Sequence, residues 1–420
     1  MLHQTDLIQE AANNHTDWFT ASALVAGGAV RTENGLTCIE SPASAPAVSG
    51  ELILAFPRMD SHSGATLDAA LSIARQNQVR QVSCWATLPT QPSDLGAQLL
   101  ARGFQWGWQP HWMALDLHLL PPADFPVPAG LEIFLDEGSV WDVDDLPHYD
   151  PTEAARLKAL IRRTPQQTFH FGARLNGKIV GHSLLHLSTG SGGIAGLYNV
   201  GVVPVARNQG IGRAISRAAC AHAQTLGCEF VLLNAATTIY ERLGFVSLGY
   251  GQTWWMFRPA LAAPALTPSL VALTEAVGRG DISALEALRL DELPRDLDAS
   301  LRCKLTLLEV AAQLQQPEAA QWLLSAGATP DIIPLCDLGW RDQLPGLLDR
   351  RPELANRCLG ELGQTPLHEA IARNDLALLR LLLSAKPNLE IQDTQYHATA
   401  LGWARHFGRA EMVSLLEAAP

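Results

Sequence analysis

The run from Ala195 to Arg213 restricts the fold more than any other part of this chain. Ala195 to Val203 reads as a strand, and it passes directly into Pro204-Val205-Ala206-Arg207-Asn208-Gln209-Gly210-Ile211-Gly212-Arg213. From there Ile211, Ile215, Ala218, Ala219, His222 and Leu226 recur at helical spacing, and Gly227 follows where a helix C-terminus favours glycine. A helix entered this way presents free N–H groups and the positive end of its dipole at the turn, which suits a phosphate. Gly210 and Gly212 let a pyrophosphate approach the backbone, and Arg207 contributes charge. The run is neither a G-x-G-x-x-G dinucleotide fingerprint nor a P-loop with its Lys-Ser/Thr pair.

The neighbouring sequence supplies more strands. Gln167 to Leu175 and Lys178 to Ser188 alternate as strands around the hairpin signal Asn176-Gly177, and Gly190-Ser191-Gly192-Gly193 precedes the next strand. Glu229 to Leu233 reads as a further strand, Thr237 to Leu243 as a short helix and Gly251 to Phe257 as a last strand. A similar order is legible earlier: strand Glu51 to Phe56, helix Thr66 to Gln76, strand Val79 to Trp85, helix Leu95 to Arg102 and strand Trp112 to Leu117. Arg102-Gly103-Phe104 parallels Leu243-Gly244-Phe245, which suggests a duplication. Prolines at 121, 122, 126 and 128 mark a linker between the copies. The expected division is therefore 1–120 and 129–258. At the place of the phosphate loop the first copy has Pro57-Arg58-Met59-Asp60-Ser61-His62-Ser63-Gly64. It retains one glycine, and Asp60 opposes a phosphate, so this copy is expected not to bind the same ligand.

A second repetition follows the Pro/Ala-rich stretch at 259–268. Thr365-Pro366-Leu367-His368-Glu369-Ala370 returns 34 residues later as Thr399-Ala400-Leu401-Gly402-Trp403-Ala404, and an earlier copy begins at Thr306. Each copy leads into a second helix and a polar loop, and helix pairs of this size bury their faces only by stacking. This array resembles the ankyrin repeat family. About five repeats are expected over 269–420, those at Leu270–Leu288 and Pro334–Leu348 being degenerate. The resemblance implies a protein partner and gives His368 a hydrogen-bonding place between neighbouring loops.

Composition removes several alternatives. The formal charge of −12 supplies no phosphate-neutralising surface for general nucleic-acid binding. No apolar run approaches the length that spans a bilayer, and Met1 to Glu10 lacks the pattern of a signal peptide. The seven cysteines are scattered without metal-ligand spacing, as in a reduced cytoplasmic protein, and the acidic residues near 291–298 read as a solvated loop.

The loop and its surroundings resemble the Gcn5-related N-acetyltransferase (GNAT) family. Arg207, Gly210 and Gly212 fill that family's Gln/Arg-x-x-Gly-x-Gly/Ala motif after Val202-Val203-Pro204, and Tyr240 precedes Leu243-Gly244-Phe245 at the spacing of its second motif. The resemblance implies a mixed-sheet α/β fold of the GNAT type in tandem, followed by an all-α ankyrin solenoid. It implies acetyl-CoA as acyl donor, without a metal, and an amine as acceptor. The N–H groups of Asn208, Gln209, Gly210, Ile211, Gly212 and Arg213 would hold the pyrophosphate. Gly201, Val202 and Val203 would pair with the pantetheine arm, and Asn234 joins the donor-binding set. The Val202 N–H would polarise the thioester carbonyl, and Tyr240, with a phenol near its usual value of about 10, would protonate the leaving thiolate.

The general base is not assigned: Asn199 stands where many members carry a glutamate, and Asp142, Asp144, Asp145, His148 and Asp150 are candidates beside relay through water. Trp141, His148, Tyr149, Trp254 and Trp255 fit either an acceptor pocket or a core. Three functions remain at this level: an acetyltransferase whose repeats recruit a protein substrate or regulator, an interaction protein built on a CoA-sensing or inactive transferase scaffold, or an acetyltransferase of a small amine such as a polyamine or aminoglycoside, with repeats used only for assembly.

Overall fold

The computed structural model describes residues 4–42, 50–60, 64–189, 193–235, 239–288, 294, 296–358 and 363–419. Gly190 to Gly192, Ser61 to Ser63, Thr237, and Asp291 with Glu292 lie outside the described residues. The chain forms two compact units, Met1–Ser93 with Trp106–Ala263, and Asp94–Gln105 with Pro264–Pro420. Among the described residues no helix is long and apolar enough to cross a membrane.

The α/β unit begins with a helix that the periodicity did not indicate, α1 (Gln4–Val25). After it come β1 (Ala29–Glu33), β2 (Leu36–Ser41), β3 (Glu51–Ala55), α2 (Gly64–Gln76) and β4 (Gln81–Thr87). Helix α3 (Leu95–Ala101) belongs to the other unit. The chain continues with β5 (Gln105–Trp106), β6 (His111–Asp116), β7 (Leu131–Asp136), α4 (Pro151–Arg163), β8 (Thr168–Leu175) and β9 (Lys178–Leu187). It continues with β10 (Ile194–Val202), α5 (Ile211–Thr225), β11 (Phe230–Asn234) and β12 (Val246–Phe257), and a short helix, α6 (Arg258–Ala262), follows. Where a helix over 237–243 is expected, the described part is a 3-10 turn at Glu241–Leu243. The Asn176-Gly177 hairpin forms as its residues dictate, with both φ angles positive, at 49° and 83°.

The strands make one mixed sheet in the order β1-β2-β3-β4-β12-β6-β11-β10-β9-β8-β7, with β5 beside β12. This order does not follow the division at residues 120–129. Strand β6, from before the proline linker, pairs antiparallel with β11 from Phe230↔Asp116 to Asn234↔Trp112. Strand β12 pairs with β6 over Val246–Tyr250 and with β4 over Gly251–Phe257. Each copy therefore gives a strand segment to the sheet of the other. The crossing is possible because β12 bulges between Ser247 and Gly249, where Gly249 has φ 114°. At Gly251 a Cβ would lie 2.6 Å from both the Ala86 carbonyl and Trp112 Nε1, so only glycine passes this point.

Helix α5 buries Ile211, Ile215, Ala219 and Ala223 in a core with Leu197, Val231, Leu233 and Phe245. Full burial of one such isoleucine stabilises by about 1.5–3 kcal/mol. That core fixes the helix against β10 and sets where its N-terminus points.

The second unit is helical. Helix pairs such as Leu307–Gln313 with Pro317–Ser325, and Pro366–Ala372 with Leu376–Ser384, stack as the repeat spacing requires. Thr306 opens its helix through a capping box: Glu309 N–H donates to its hydroxyl at 3.2 Å, and its own N–H donates to Glu309 Oε2 at 2.6 Å. His368 takes the bridging place expected of it, with Nδ1 accepting from Thr365 N–H at 3.1 Å and Nε2 donating to Ala398 O at 3.1 Å. Helix α3, read from sequence as part of the first α/β copy, is buried at every residue and packs on the first repeat helix, Pro268–Arg279. Arg102 donates to Glu275 at 2.6 Å, Arg279 to Asp94 at 2.5 Å, and a Cβ on Gly278 would come within 2.6 Å of Ala97 Cβ. The array begins with a helix from far upstream, which covers a face that a terminal repeat would otherwise expose.

Candidate active site

The site is created by a failure of pairing. Strands β10 and β11 run parallel and in register only from Ile194↔Phe230 to Gly196↔Leu232. Beyond Gly196, β10 continues to Val202 bound only to β9, and β11 continues to Asn234 bound only to β6. The edges that face each other there carry unpaired N–H and C=O groups, which an extended ligand can take up as a strand would. The divergence coincides with a bulge in β10 between Tyr198 and Gly201. Asn199 sits at this bulge with φ 49°, a left-handed conformation that asparagine tolerates better than most residues. Its place in the sequence is explained by backbone shape.

The opening widens into a cavity of about 800 Å³, lined by Val200, Val202, Arg207, the first turn of α5, Ile239, Tyr240 and the linker residues Phe125 and Pro126. Gly210 is the N-cap of α5 with φ 82°, and a Cβ there would lie 2.5 Å from Pro126 O. Gly212 is less constrained, since its Cβ would meet Ile239 Cδ1 at 3.3 Å. The first turn borders the cavity, and its N–H groups, free of intrahelical partners, suit a pyrophosphate. Arg213 lies over the Phe125 ring at 4.1 Å and donates to Arg242 O at 3.0 Å, so it holds the linker and the Tyr240 turn beside the helix start.

The expected site residues do not all gather. Val202, Arg207, Asn208, Gly210, Ile211, Gly212, Arg213 and Tyr240 line the cavity. Val203 does not, because its N–H donates to Val180 O at 2.9 Å on the β9 side. Backbone direction alternates along a strand, so Gly201 also faces β9, and Val202 presents its N–H and C=O to the opening. The Val202 carbonyl accepts from Arg207 Nε at 3.0 Å. Gln209 is exposed and donates to Val205 O at 3.3 Å, and Asn234 ends β11 opposite Trp112.

Tyr240 is buried against Phe245 and hydrogen-bonded with Ser216, whose hydroxyl donates to Gly212 O at 2.8 Å. Burial above all, then the neighbouring Cys220, pushes its phenol up to about 12 against the lowering effect of Ser216. This exceeds the ordinary value expected from sequence and keeps the phenol protonated at neutral pH.

The loop between β7 and α4 carries the residues that the sequence offers as candidate bases. Asp142, Asp144, Asp145 and His148 are exposed. Asp150 caps α4, accepting from Thr152 and Glu153 N–H at 2.8 and 3.1 Å. Trp254 and Trp255 lie on the part of β12 that pairs with β4, away from this loop, and Trp254 is core. The reading missed the buried residues below the loop, Asp136, His170 and His182. Their only signal was histidine at inward-facing strand positions.

Residues 134–245 match the model of the acetyltransferase (GNAT) family, and residues 362–394 match the ankyrin repeat. No curated protein matches the sequence. Among solved structures, a GCN5-related N-acetyltransferase from Kribbella flavida is 18% identical over 56% of this chain and 93% of its own, with a TM-score of 0.42. A tandem GNAT protein from the clavulanic acid biosynthesis pathway is 17% identical over 63% of this chain and 98% of its own, with a TM-score of 0.43. A GCN5-related N-acetyltransferase from Sphaerobacter thermophilus is 16% identical over 56% and 83%, with a TM-score of 0.39. The chain thus carries a domain of the acetyltransferase (GNAT) family over residues 134–245 and an ankyrin repeat over residues 362–394.

Proposed function

We propose that the chain is an acetyl-CoA-dependent N-acetyltransferase. The reading is carried by the parting of β10 and β11 beyond Gly196 in front of the glycine-bearing start of α5. An extended pantetheine arm matches the edge at Val202, where the N–H faces the opening and the carbonyl is held by Arg207, and a pyrophosphate matches the N–H groups from Asn208 to Arg213. The Val202 N–H stands where it can hold the charge that develops on a thioester oxygen. Tyr240, protonated and bordering the same cavity, supplies a proton to the departing thiolate. The acceptor amine attacks directly, forming the amide bond as the C–S bond breaks, with no covalent enzyme intermediate. Its proton leaves through water, since the exposed carboxylates of the 139–150 loop are not assembled around the opening.

The ankyrin repeats recruit a protein partner, which is either the acceptor or a regulator, and their excess of acidic over basic residues favours a basic one. Seven unpaired cysteines are consistent with a cytoplasmic protein. The test is thiol release from acetyl-CoA by the full chain across peptide amines, polyamines and aminoglycosides. Amine-dependent release supports the reading. Binding of acetyl-CoA without release for any amine favours the alternative of a CoA-sensing scaffold for the repeats.

A further inference from the structure

Three groups that the donor site does not use form a chain beneath the 137–150 loop. Asp136 ends β7, His170 stands opposite it on β8, and His182 stands on β9 opposite Gly201. His170 Nδ1 is 2.8 Å from Asp136 Oδ2, His170 Nε2 is 3.2 Å from His182 Nδ1, and His182 Nε2 is 2.6 Å from the Pro147 carbonyl. All three side chains are buried.

Each of these three hydrogen bonds needs one proton, whereas two neutral imidazoles bring only two. The third lies on Asp136 or on a ring. Asp136 Oδ2 also accepts from Gly138 N–H at 3.2 Å and Ser139 N–H at 3.0 Å, the behaviour of an ionised carboxylate. The Pro147 carbonyl can only accept, so His182 carries its proton on Nε2. The carboxylate of Asp136 lies 2.8 Å from His170, whereas His182 faces only the Pro147 carbonyl on its other side, so the extra proton belongs on His170, and burial keeps His182 neutral with its Nδ1 an acceptor. His170 must then donate from both nitrogens. The ring of Trp141, from the loop itself, stacks on it at 4.8 Å with 24° between planes, a contact that favours a cation.

We propose that His170 is a buried imidazolium and that Asp136, His170 and His182 are positioning residues for the loop on the acceptor side. The start of the loop is held through Asp136 and Trp141, and its end through His182 and the Pro147 carbonyl. The seat for Pro147 is glycine: a Cβ on Gly201 would lie 2.7 Å from its oxygen. One charge therefore fixes both ends of the loop against β10, beside the bulge where the donor opening begins. That the loop faces an acceptor rests on the acetyltransferase reading; the clamp itself does not.

The test uses full-length protein labelled with ¹⁵N-histidine near neutral pH, with ring signals assigned by their loss in His170→Gln and His182→Gln. The expected result is His170 protonated on both nitrogens and His182 on Nε2 alone. Amide exchange over 138–150 should be faster by about tenfold or more in His170→Gln, the scale of one lost charged hydrogen bond. His182→Gln, whose amide can still donate to Pro147, should fall between wild type and His182→Phe. Acetyl-CoA affinity should stay within about twofold in every variant, as for sites that share no partner. A neutral His170 in wild type overturns the proposal, as does unchanged loop exchange in His170→Gln. If the variants fail to fold, the wild-type ring signals decide alone. Loop effects without acetyl-CoA binding by the wild type would refute the donor reading and leave the clamp standing.

Discussion

The two copies within the α/β unit differ at one place that decides their chemistry. In the later copy, β10 and β11 part after three pairs and leave an edge open. In the earlier copy, the corresponding parallel strands β3 and β4 stay paired from Glu51↔Gln81 to Ala55↔Trp85, and Phe56 N–H extends the contact to Trp85 O at 2.7 Å. His15 fills the face beside that seam, with its ring 5.1 Å from Trp85, 5.4 Å from Trp112 and 4.4 Å from Phe19. The cavity at the end of β3, about 590 Å³, is lined by Glu10 and Asp17 as well as Arg58, which is a poor place for a phosphate. The same order of strands gives a seam in one copy and a slot in the other. The difference lies in whether the backbone pairs, before any catalytic residue is considered.

The exchange of strands makes the comparison sharpest by truncation. A fragment of residues 129–258 lacks β6, the partner of both β11 and the first half of β12, and should show no cooperative thermal unfolding and no near-ultraviolet dichroism. A folded, cooperative fragment would mean that the later copy is self-sufficient. Removal of 264–420 strips α3 of the helix it packs on, and the shortened chain should aggregate or lose stability.

Acid should act next, through one buried histidine from each copy, His15 on α1 and His186 on β9. The unfolded rings of His15 and His186 take protons near 6.5, whereas burial lowers them to about 3 and about 4 in the folded state. The contribution of keeping them neutral is therefore complete above pH 6.5 and is lost as pH falls through that window. Denaturant midpoints should drop from pH 7 toward 4, and His15→Phe should flatten the slope.

In the open copy, Tyr240→Phe should lower kcat by about 10²-fold, the lower range for a general acid, with little change in the KM for acetyl-CoA. The smallest effect is a contrast between glycines. Gly212→Ala should weaken acetyl-CoA several-fold at most, because the added carbon meets only the flexible end of Ile239 at 3.3 Å. Gly210→Ala, with a positive φ and a carbonyl in the way, should weaken it much more. Equal effects would show that the first turn does not hold the donor.

The slot was legible in sequence because its parts are local: a strand, a loop with two glycines, a helix and the Tyr240 turn lie within about 45 residues. The repeats were legible because three of them open on a threonine cap, at Thr306, Thr365 and Thr399, whereas the degenerate third is capped by Asp331. The strand exchange was not, since β12 is one continuous strand and nothing in Gly249 or Gly251 says which neighbours it will find. Helix α3 has the composition of any buried helix, and its partner lies more than 160 residues downstream. The Asp136–His170–His182 chain depends on cross-strand register, so three polar residues scattered over β7, β8 and β9 read as unrelated.

Isothermal titration of the full chain with acetyl-CoA tests the central claim most directly. One site per chain is predicted, abolished by Gly210→Glu and unchanged by Arg58→Ala at the end of β3. Two sites per chain, or binding that survives Gly210→Glu and is lost with Arg58→Ala, would contradict the account.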